Sequence, residues 1–131
     1  MHNRPKAEYG HFLIDMKKDL QRSLMLADAA GIARDQIILD PGVGFGKTYE
    51  QNLAVLAHLD TFLDFELPLL LATSRKSVIG LTLDLPVEER EEGTMVTSVL
   101  AALNHWDMVR VHDVEKNVRA LRMTEKIMSL Q

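Results

Sequence analysis

Hydrophobic positions along this chain follow two rhythms that alternate. Between Tyr9 and Ala30, the residues Phe12, Leu13, Met16, Leu20, Leu24 and Ala27 recur at steps of three and four, with Lys17, Lys18, Asp19 and Arg22 between them. That is the spacing of an amphipathic helix, and Gly31 is placed to end it. A short apolar run over 36–40 predicts a first strand, and a second helix is predicted from Tyr49 to Leu63. Pro68 opens a second strand over 68–73. Pro86 and the charged run Glu88–Glu92 form a connection, read as a solvated face or loop rather than a metal site. A third helix is predicted from Gly93 to Asn104, a third strand from Asp107 to His112, and a last helix from Val114 to Met128. This alternation defines an α/β chain with parallel strands joined by helical crossovers. Residues 1–131 read as one domain, with no linker or repeat. Three parallel strands make a poor sheet alone, and a closed eight-unit barrel needs about 250 residues. The pattern therefore predicts either a small open sheet or part of a larger fold.

The apolar runs matter most where they stop. Ile37-Ile-Leu-Asp-Pro-Gly-Val-Gly-Phe-Gly-Lys-Thr48 ends a strand on an acid and continues into a glycine-punctuated loop. A phosphate-binding P-loop needs four residues between its first glycine and Gly-Lys-Thr, but only three separate Gly42 from Gly46, and Pro41 holds the required place. A Gly-x-Gly-x-x-Gly dinucleotide loop fails because position 47 is lysine. Asp40 remains as a candidate acceptor for a ligand with paired N–H donors, or else as a cap for a neighbouring helix, and Phe45 as a mobile apolar wall between glycines that permit close ligand approach, or else as core filling. Leu69-Leu-Leu-Ala-Thr-Ser-Arg-Lys-Ser77 places two cations and two hydroxyls at the next strand end, so Arg75 and Lys76 are expected to face anions or electron-rich carbonyl groups. A helical turn near Ser77 would add backbone N–H groups. In Met108-Val-Arg-Val-His-Asp113, Arg110 and His112 share one face of a strand and form an anion clamp. Val109 and Val111 are expected to point the other way. Ligands of open α/β sheets bind at carboxyl strand ends, so these segments predict one shared active site.

Composition narrows the classes. Net charge is −4, and aromatic residues make up 5% of the chain, which argues against a nucleic-acid binder with a basic stripe or a stacking platform. The absence of cysteine excludes disulfides, thiol nucleophiles and zinc–thiolate sites. No apolar run approaches the ~18 residues of a membrane span, and a cytoplasmic location is expected.

Four motifs resemble, in order and spacing, the carboxyl-terminal half of bacterial dihydropteroate synthase. They are Asp40-Pro-Gly-Val-Gly-Phe-Gly-Lys-Thr48, Ser74-Arg-Lys-Ser-Val-Ile-Gly80, Glu92-Gly-Thr94 and Val109-Arg-Val-His-Asp-Val114. Met1-His-Asn-Arg4 is similar to the segment that closes the family's fifth strand. The resemblance covers essentially all 131 residues. It implies the carboxyl-terminal part of a (β/α)₈ TIM barrel, in an enzyme of folate biosynthesis that is a sulfonamide target. That family joins 6-hydroxymethyl-7,8-dihydropterin pyrophosphate to p-aminobenzoate and releases pyrophosphate. By the same resemblance, Asp40 binds the pterin N–H groups, with Gly44 and Phe45 lining the pocket. Lys76 touches the pterin carbonyl, Ser77 receives the p-aminobenzoate carboxylate, and Arg110 and His112 hold the pyrophosphate. Lys76, Arg110 and His112 are the implied catalytic set. The family's Mg²⁺ is held through an asparagine near a first strand that has no counterpart in this sequence. The resemblance thus also implies that the fragment is inactive alone and forms a homodimer or pairs with the other barrel half. A pterin-binding methyltransferase domain is the alternative enzyme, disfavoured by the anion-clamping residues. A non-catalytic half-barrel that binds pterin or a partner chain is the alternative without chemistry.

Overall fold

The computed structural model describes the backbone from Lys6 to Gln131 and side chains from Gly10 onward. The Met1–Arg4 segment lies outside the described residues. Helix α1 (Lys6–Ala29) buries Leu13 and Met16 and half-buries Phe12, Leu20 and Leu24, the stripe its spacing predicts. It stops where Ile32 N–H donates to Ala27 O and Gly31 N–H to Asp28 O, the paired bonds of a Schellman ending.

The chain next makes a 3₁₀ turn over Arg34–Gln36 instead of entering a strand at residue 36. Pairing in this region is confined to Leu39. Its N–H donates to Pro68 O, and its carbonyl accepts from Leu70 N–H, both at 2.8 Å. Strand β1 (Leu70–Leu71) lies parallel to β2 (Met108–Val109), with Leu70 opposite Met108 and Leu71 opposite Val109. Three parallel segments therefore stand in the predicted order, but they pair over much shorter stretches than the apolar runs suggest. Side chains and turns account for the shortening. Asp107 Oδ2 accepts Leu69 N–H at 2.9 Å where a backbone rung would form. At the other end of β1, Thr73 O accepts Lys76 N–H in a turn.

The predicted 49–63 helix divides in two. Helix α2 (Tyr49–Ala57) starts at a capping box, with Thr48 Oγ1 accepting Gln51 N–H and Gln51 Oε1 accepting Thr48 N–H. A 3₁₀ segment over Leu59–Phe65 follows, burying Leu59, Phe62 and Phe65. Apolar residues at every third position suit three residues per turn, which aligns them on one side. Helix α3 (Ser77–Leu83) starts at the helical turn considered near Ser77, though it is not counted in the predicted order, and α4 (Glu91–Leu103) begins at Glu91 rather than Gly93. Helix α5 (Val114–Met128) lies where predicted.

One hydrophobic cluster joins Leu39, Leu69 and Leu71 to Leu59, Phe62 and Trp106. Phe62 and Trp106 meet edge to face, with ring centroids 6.0 Å apart, a favourable aromatic geometry. Trp106 Nε1 donates to Leu59 O at 2.9 Å, so the indole is buried with its polar atom satisfied. Among the described residues, no helix is long and apolar enough to cross a membrane.

Candidate active site

The loop after Leu39 is built from its own backbone outward. Asp40 Oδ1 accepts Gly42 N–H at 2.8 Å, and no protein partner is found for Oδ2 among the described residues. Lys47 donates to Pro41 O at 2.9 Å and Gly42 O at 2.7 Å, so this lysine holds the loop's carbonyls rather than facing a ligand. Asn52, buried on α2, accepts Gly44 N–H at 2.9 Å. These ties leave Phe45 at the tip, 68% exposed.

Lys76 connects that loop to the end of β1. Its ammonium donates to Val43 O and lies 4.7 Å from the centre of the Phe45 ring, within cation–π range. A Cβ added at Gly44, where φ is +89°, would stand 3.1 Å from Lys76 Cδ, so only a glycine suits both the backbone and the lysine. Burial lowers the Lys76 pKa, the Asp40 carboxylate opposes that shift, and nearby Arg110 adds to it. Lys47 is lowered in the same way, by burial first, with Asp40 opposing and Lys76 adding. One carboxylate thus partly offsets several cations.

The two cations of Ser74-Arg-Lys-Ser77 diverge. Lys76 lines a cleft of about 370 Å³ with Ala72, Ser74, Arg110, Val111 and His112, whereas Arg75 does not. Arg75 instead occupies the left-handed region at φ +58° and is clamped on both sides. Its N–H donates to Thr94 Oγ1 at 3.1 Å, and its carbonyl accepts Arg90 Nη1 at 2.9 Å. Arg90 Nε also donates to Leu85 O at 3.0 Å. Ser77 is exposed as the first residue of α3, directly after the cap residue Lys76.

Arg110 and His112 line the same cleft as Lys76, as their two-residue spacing predicts. Val109 packs against the core, and Val109 and Val111 both line a cleft against the last helix, the side expected for them, although Val111 also borders the Lys76 cleft. Ser74 Oγ accepts His112 N–H at 3.1 Å and lies 2.7 Å from His112 Nδ1. Asp113, the acid that closes this segment, caps α5 by accepting Lys116 N–H at 3.0 Å. Asp40 is not a wall of the cleft, although its charge acts on Lys76.

The charged run is only partly a solvated face. Glu91 turns inward to accept from Asn117 Nδ2 at 2.6 Å. The buried Asn117 also donates to Asp113 O at 2.8 Å and accepts from Ser98 Oγ at 2.8 Å. Helix α4 therefore braces both site segments, through Arg90 and Thr94 to Arg75 and through Glu91 and Asn117 to Asp113. No feature of the hydropathy pattern marks Lys47, Asn52, Arg90 or Asn117 for such a role. The capping-box spacing at Thr48 was the one local signal that loop-anchoring polar residues lay nearby. Among the described residues, no three His, Asp or Glu side chains gather as metal ligands.

A strand-end cleft walled by a lysine, an arginine and a histidine, beside an acid on a glycine loop, suits a ligand with an anionic part. Residues 1–112 match the family model described as pterin binding enzyme, and the chain belongs to that family. The relatives it is similar to are dihydropteroate synthases. That of Clostridium beijerinckii is 51% identical over 97% of this chain and 48% of its own length. That of Bacillus subtilis is 49% identical over 98% of this chain and 45% of its own. The chain spans about half the length of the curated relatives it matches. Among solved structures, a Coxiella burnetii dihydropteroate synthase in complex with pteroic acid superposes with a TM-score of 0.89 at 36% identity, covering 94% of this chain and 46% of that one. A Yersinia pestis dihydropteroate synthase with a sulfonamide drug gives 0.88 at 39% identity, covering 92% of this chain and 44% of that one.

Proposed function

We propose that these residues supply the carboxyl-terminal side of a dihydropteroate synthase active site. The observation that carries this reading is the convergence of Lys76, Arg110 and His112 on one cleft, in a chain whose similar relatives are dihydropteroate synthases. In the reaction, the bond between the pterin methylene carbon and the pyrophosphate oxygen breaks, and the oxygen keeps the electron pair. The amine of p-aminobenzoate attacks the methylene carbon and then loses a proton. Arg110 and His112 face the departing pyrophosphate, and Lys76 faces the pterin carbonyl. Cations fixed where charge develops stabilise the transition state without reorganising. Asp40 accepts from the pterin N–H groups through the oxygen its loop leaves free. Gly44 and Phe45 wall that side, and Ser77 receives the p-aminobenzoate carboxylate. The pteroic acid and sulfonamide complexes of the neighbouring structures support ligands of this shape.

The three parallel segments form a consecutive part of an eight-stranded barrel on this reading. The outer side of β2 supports it: a cleft of about 410 Å³ runs between Met108–Val111 and α5, where a further strand would lie. An apolar groove on α2, α3 and α4, lined by Leu53, Leu83 and Val96, is a surface that a second copy would cover. Unpaired edges and apolar grooves favour association over a free monomer. The Mg²⁺ implied by the family resemblance finds no ligand cluster among the described residues.

A pyrophosphate-release assay tests this proposal in a polypeptide with the complete barrel. Lys76→Ala and Arg110→Ala should each lower turnover by ~100-fold or more, as when an electrostatic group is removed from an active site. The isolated chain should not turn over. Near-normal rates in both variants would refute the assignment.

A further inference from the structure

The parallel ladder between β1 and the β2 segment has a substitution at its last rung. Met108 N–H donates to Leu69 O and Arg110 N–H to Leu71 O, at 3.1 and 3.0 Å. Continuing by two residues, His112 N–H should donate to Thr73 O. That carbonyl instead accepts Lys76 N–H in the turn that delivers the lysine. Ser74 Oγ takes its place, accepting His112 N–H at 3.1 Å. The same oxygen lies 2.7 Å from His112 Nδ1, and the serine is buried.

A serine hydroxyl has one proton to donate and lone pairs to accept with. Since Ser74 Oγ already accepts the His112 amide, its proton is free for Nδ1, the one acceptor found for it among the described residues. The opposite arrangement, Nδ1–H donating to Oγ, would leave the hydroxyl proton with no protein acceptor among the described residues, an unmade bond that disfavours it. The neutral ring then carries its proton on Nε2, since one nitrogen of imidazole donates when the other accepts.

We propose that Ser74 is a positioning residue that fixes His112 as the Nε2–H tautomer. The ring's outer nitrogen is thereby a hydrogen-bond donor in the cleft that Lys76 and Arg110 also line. The assignment deepens the anion-site reading and, for its consequence, rests on it: a neutral imidazole in this tautomer can donate to a pyrophosphate oxygen, whereas the other tautomer would present a lone pair and repel it. Ser74 does this without touching the ligand.

Long-range ¹H–¹⁵N NMR of the free chain at about pH 8 reads the protonation of both ring nitrogens, and so the tautomer, directly. The expected spectrum has His112 Nδ1 as the unprotonated, pyridine-type nitrogen and Nε2 as the protonated one. Ser74→Ala should give mixed tautomers, and Ser74→Thr should restore the wild-type pattern. Titration with inorganic pyrophosphate should show a loss of roughly 2- to 10-fold in affinity for Ser74→Ala, the worth of one hydrogen bond. A protonated Nδ1 in the wild-type chain would overturn the proposal even if the alanine variant failed to fold. An unaltered tautomer in a folded Ser74→Ala would do the same. If the wild-type tautomer is as expected but pyrophosphate does not bind, the anion-site reading fails and the serine–histidine assignment stands.

Discussion

Arg90 carries the clearest structural prediction, because it reaches from the start of α4 to hold the turn that presents Lys76. Its guanidinium donates to Leu85 O at 3.0 Å and to Arg75 O at 2.9 Å. Charge-assisted bonds of this type contribute about 1.5–3 kcal/mol each, and Arg90 is only half-buried, which favours the lower end. Arg75 also sits at φ +58°, a conformation that costs a residue with a Cβ about 1–2 kcal/mol. Arg90→Ala should therefore destabilise the fold by about 2–4 kcal/mol. With a urea slope of about 2 kcal/mol/M, mid-range for a small domain, the midpoint should fall by about 1–2 M. Trp106 is the chain's single tryptophan and is buried, so its fluorescence reports the transition. Protein concentration must be held fixed, since association adds to apparent stability. Arg90→Lys keeps the charge but loses the planar fork and should recover about half of the loss. Gly80 supplies a second approach, because a Cβ there would collide with the Arg90 guanidinium. Gly80→Ala should be costly in the wild-type background and much less so beside Arg90→Ala, the coupling expected of groups in contact. Additive effects, or an Arg90→Ala variant within about 0.5 kcal/mol of wild type, the range of ordinary surface changes, would refute the clamp.

Two further outcomes can be checked in the same denaturation format. Asn117→Ala removes the partner of Ser98 Oγ and of Glu91, whose Oε2 is already buried without one, and should cost about 2–4 kcal/mol. The lowered pKa of Lys76 fixes the sign of an alkaline dependence. While the ammonium is charged in both states, the fold bears a constant penalty for burying it. As pH rises through the lowered folded-state value towards 10.5, the folded chain releases its proton first and that penalty is relieved. Urea midpoints should show stability gained across that window, by less in Lys76→Gln, and an equal gain in the variant would count against the burial of this lysine.

The long-period features were legible in the sequence because many residues vote for them. Helices α1 and α5 follow from apolar spacing, and the parallel order of the strand segments follows from alternation. Shorter features were lost where a few residues decide. Leu59, Phe62 and Phe65 are apolar in any helical count, and only their strict three-residue step distinguishes the 3₁₀ segment from a continuation of α2. Helix α3 has too few residues for a period to show. Strand length was overread because Asp107 and Ser74 side chains replace backbone rungs, which hydropathy cannot reveal. At the site, strand-end placement was enough to bring Lys76, Arg110 and His112 to one cleft. It could not separate Arg75 from Lys76, because the left-handed turn at Arg75 depends on distant Arg90 and Thr94. Lys47 was ambiguous for a related reason: its partners are loop carbonyls, and a backbone carbonyl leaves no mark on the sequence.

Whether the cations act as a shaped cleft or as a general positive surface is best tested by titration calorimetry with inorganic pyrophosphate. Lys76→Gln, Arg110→Gln and Arg75→Gln each remove one positive charge within the same neighbourhood, but only the first two alter residues lining the cleft. Affinity should fall by roughly 10- to 100-fold in Lys76→Gln and Arg110→Gln, the worth of a charge-assisted hydrogen bond to phosphate. Arg75→Gln should bind within about 3-fold of wild type, as expected for loss of a screened, non-contacting charge. Equal losses in all three variants would contradict the account and show that pyrophosphate responds to net charge rather than to the site.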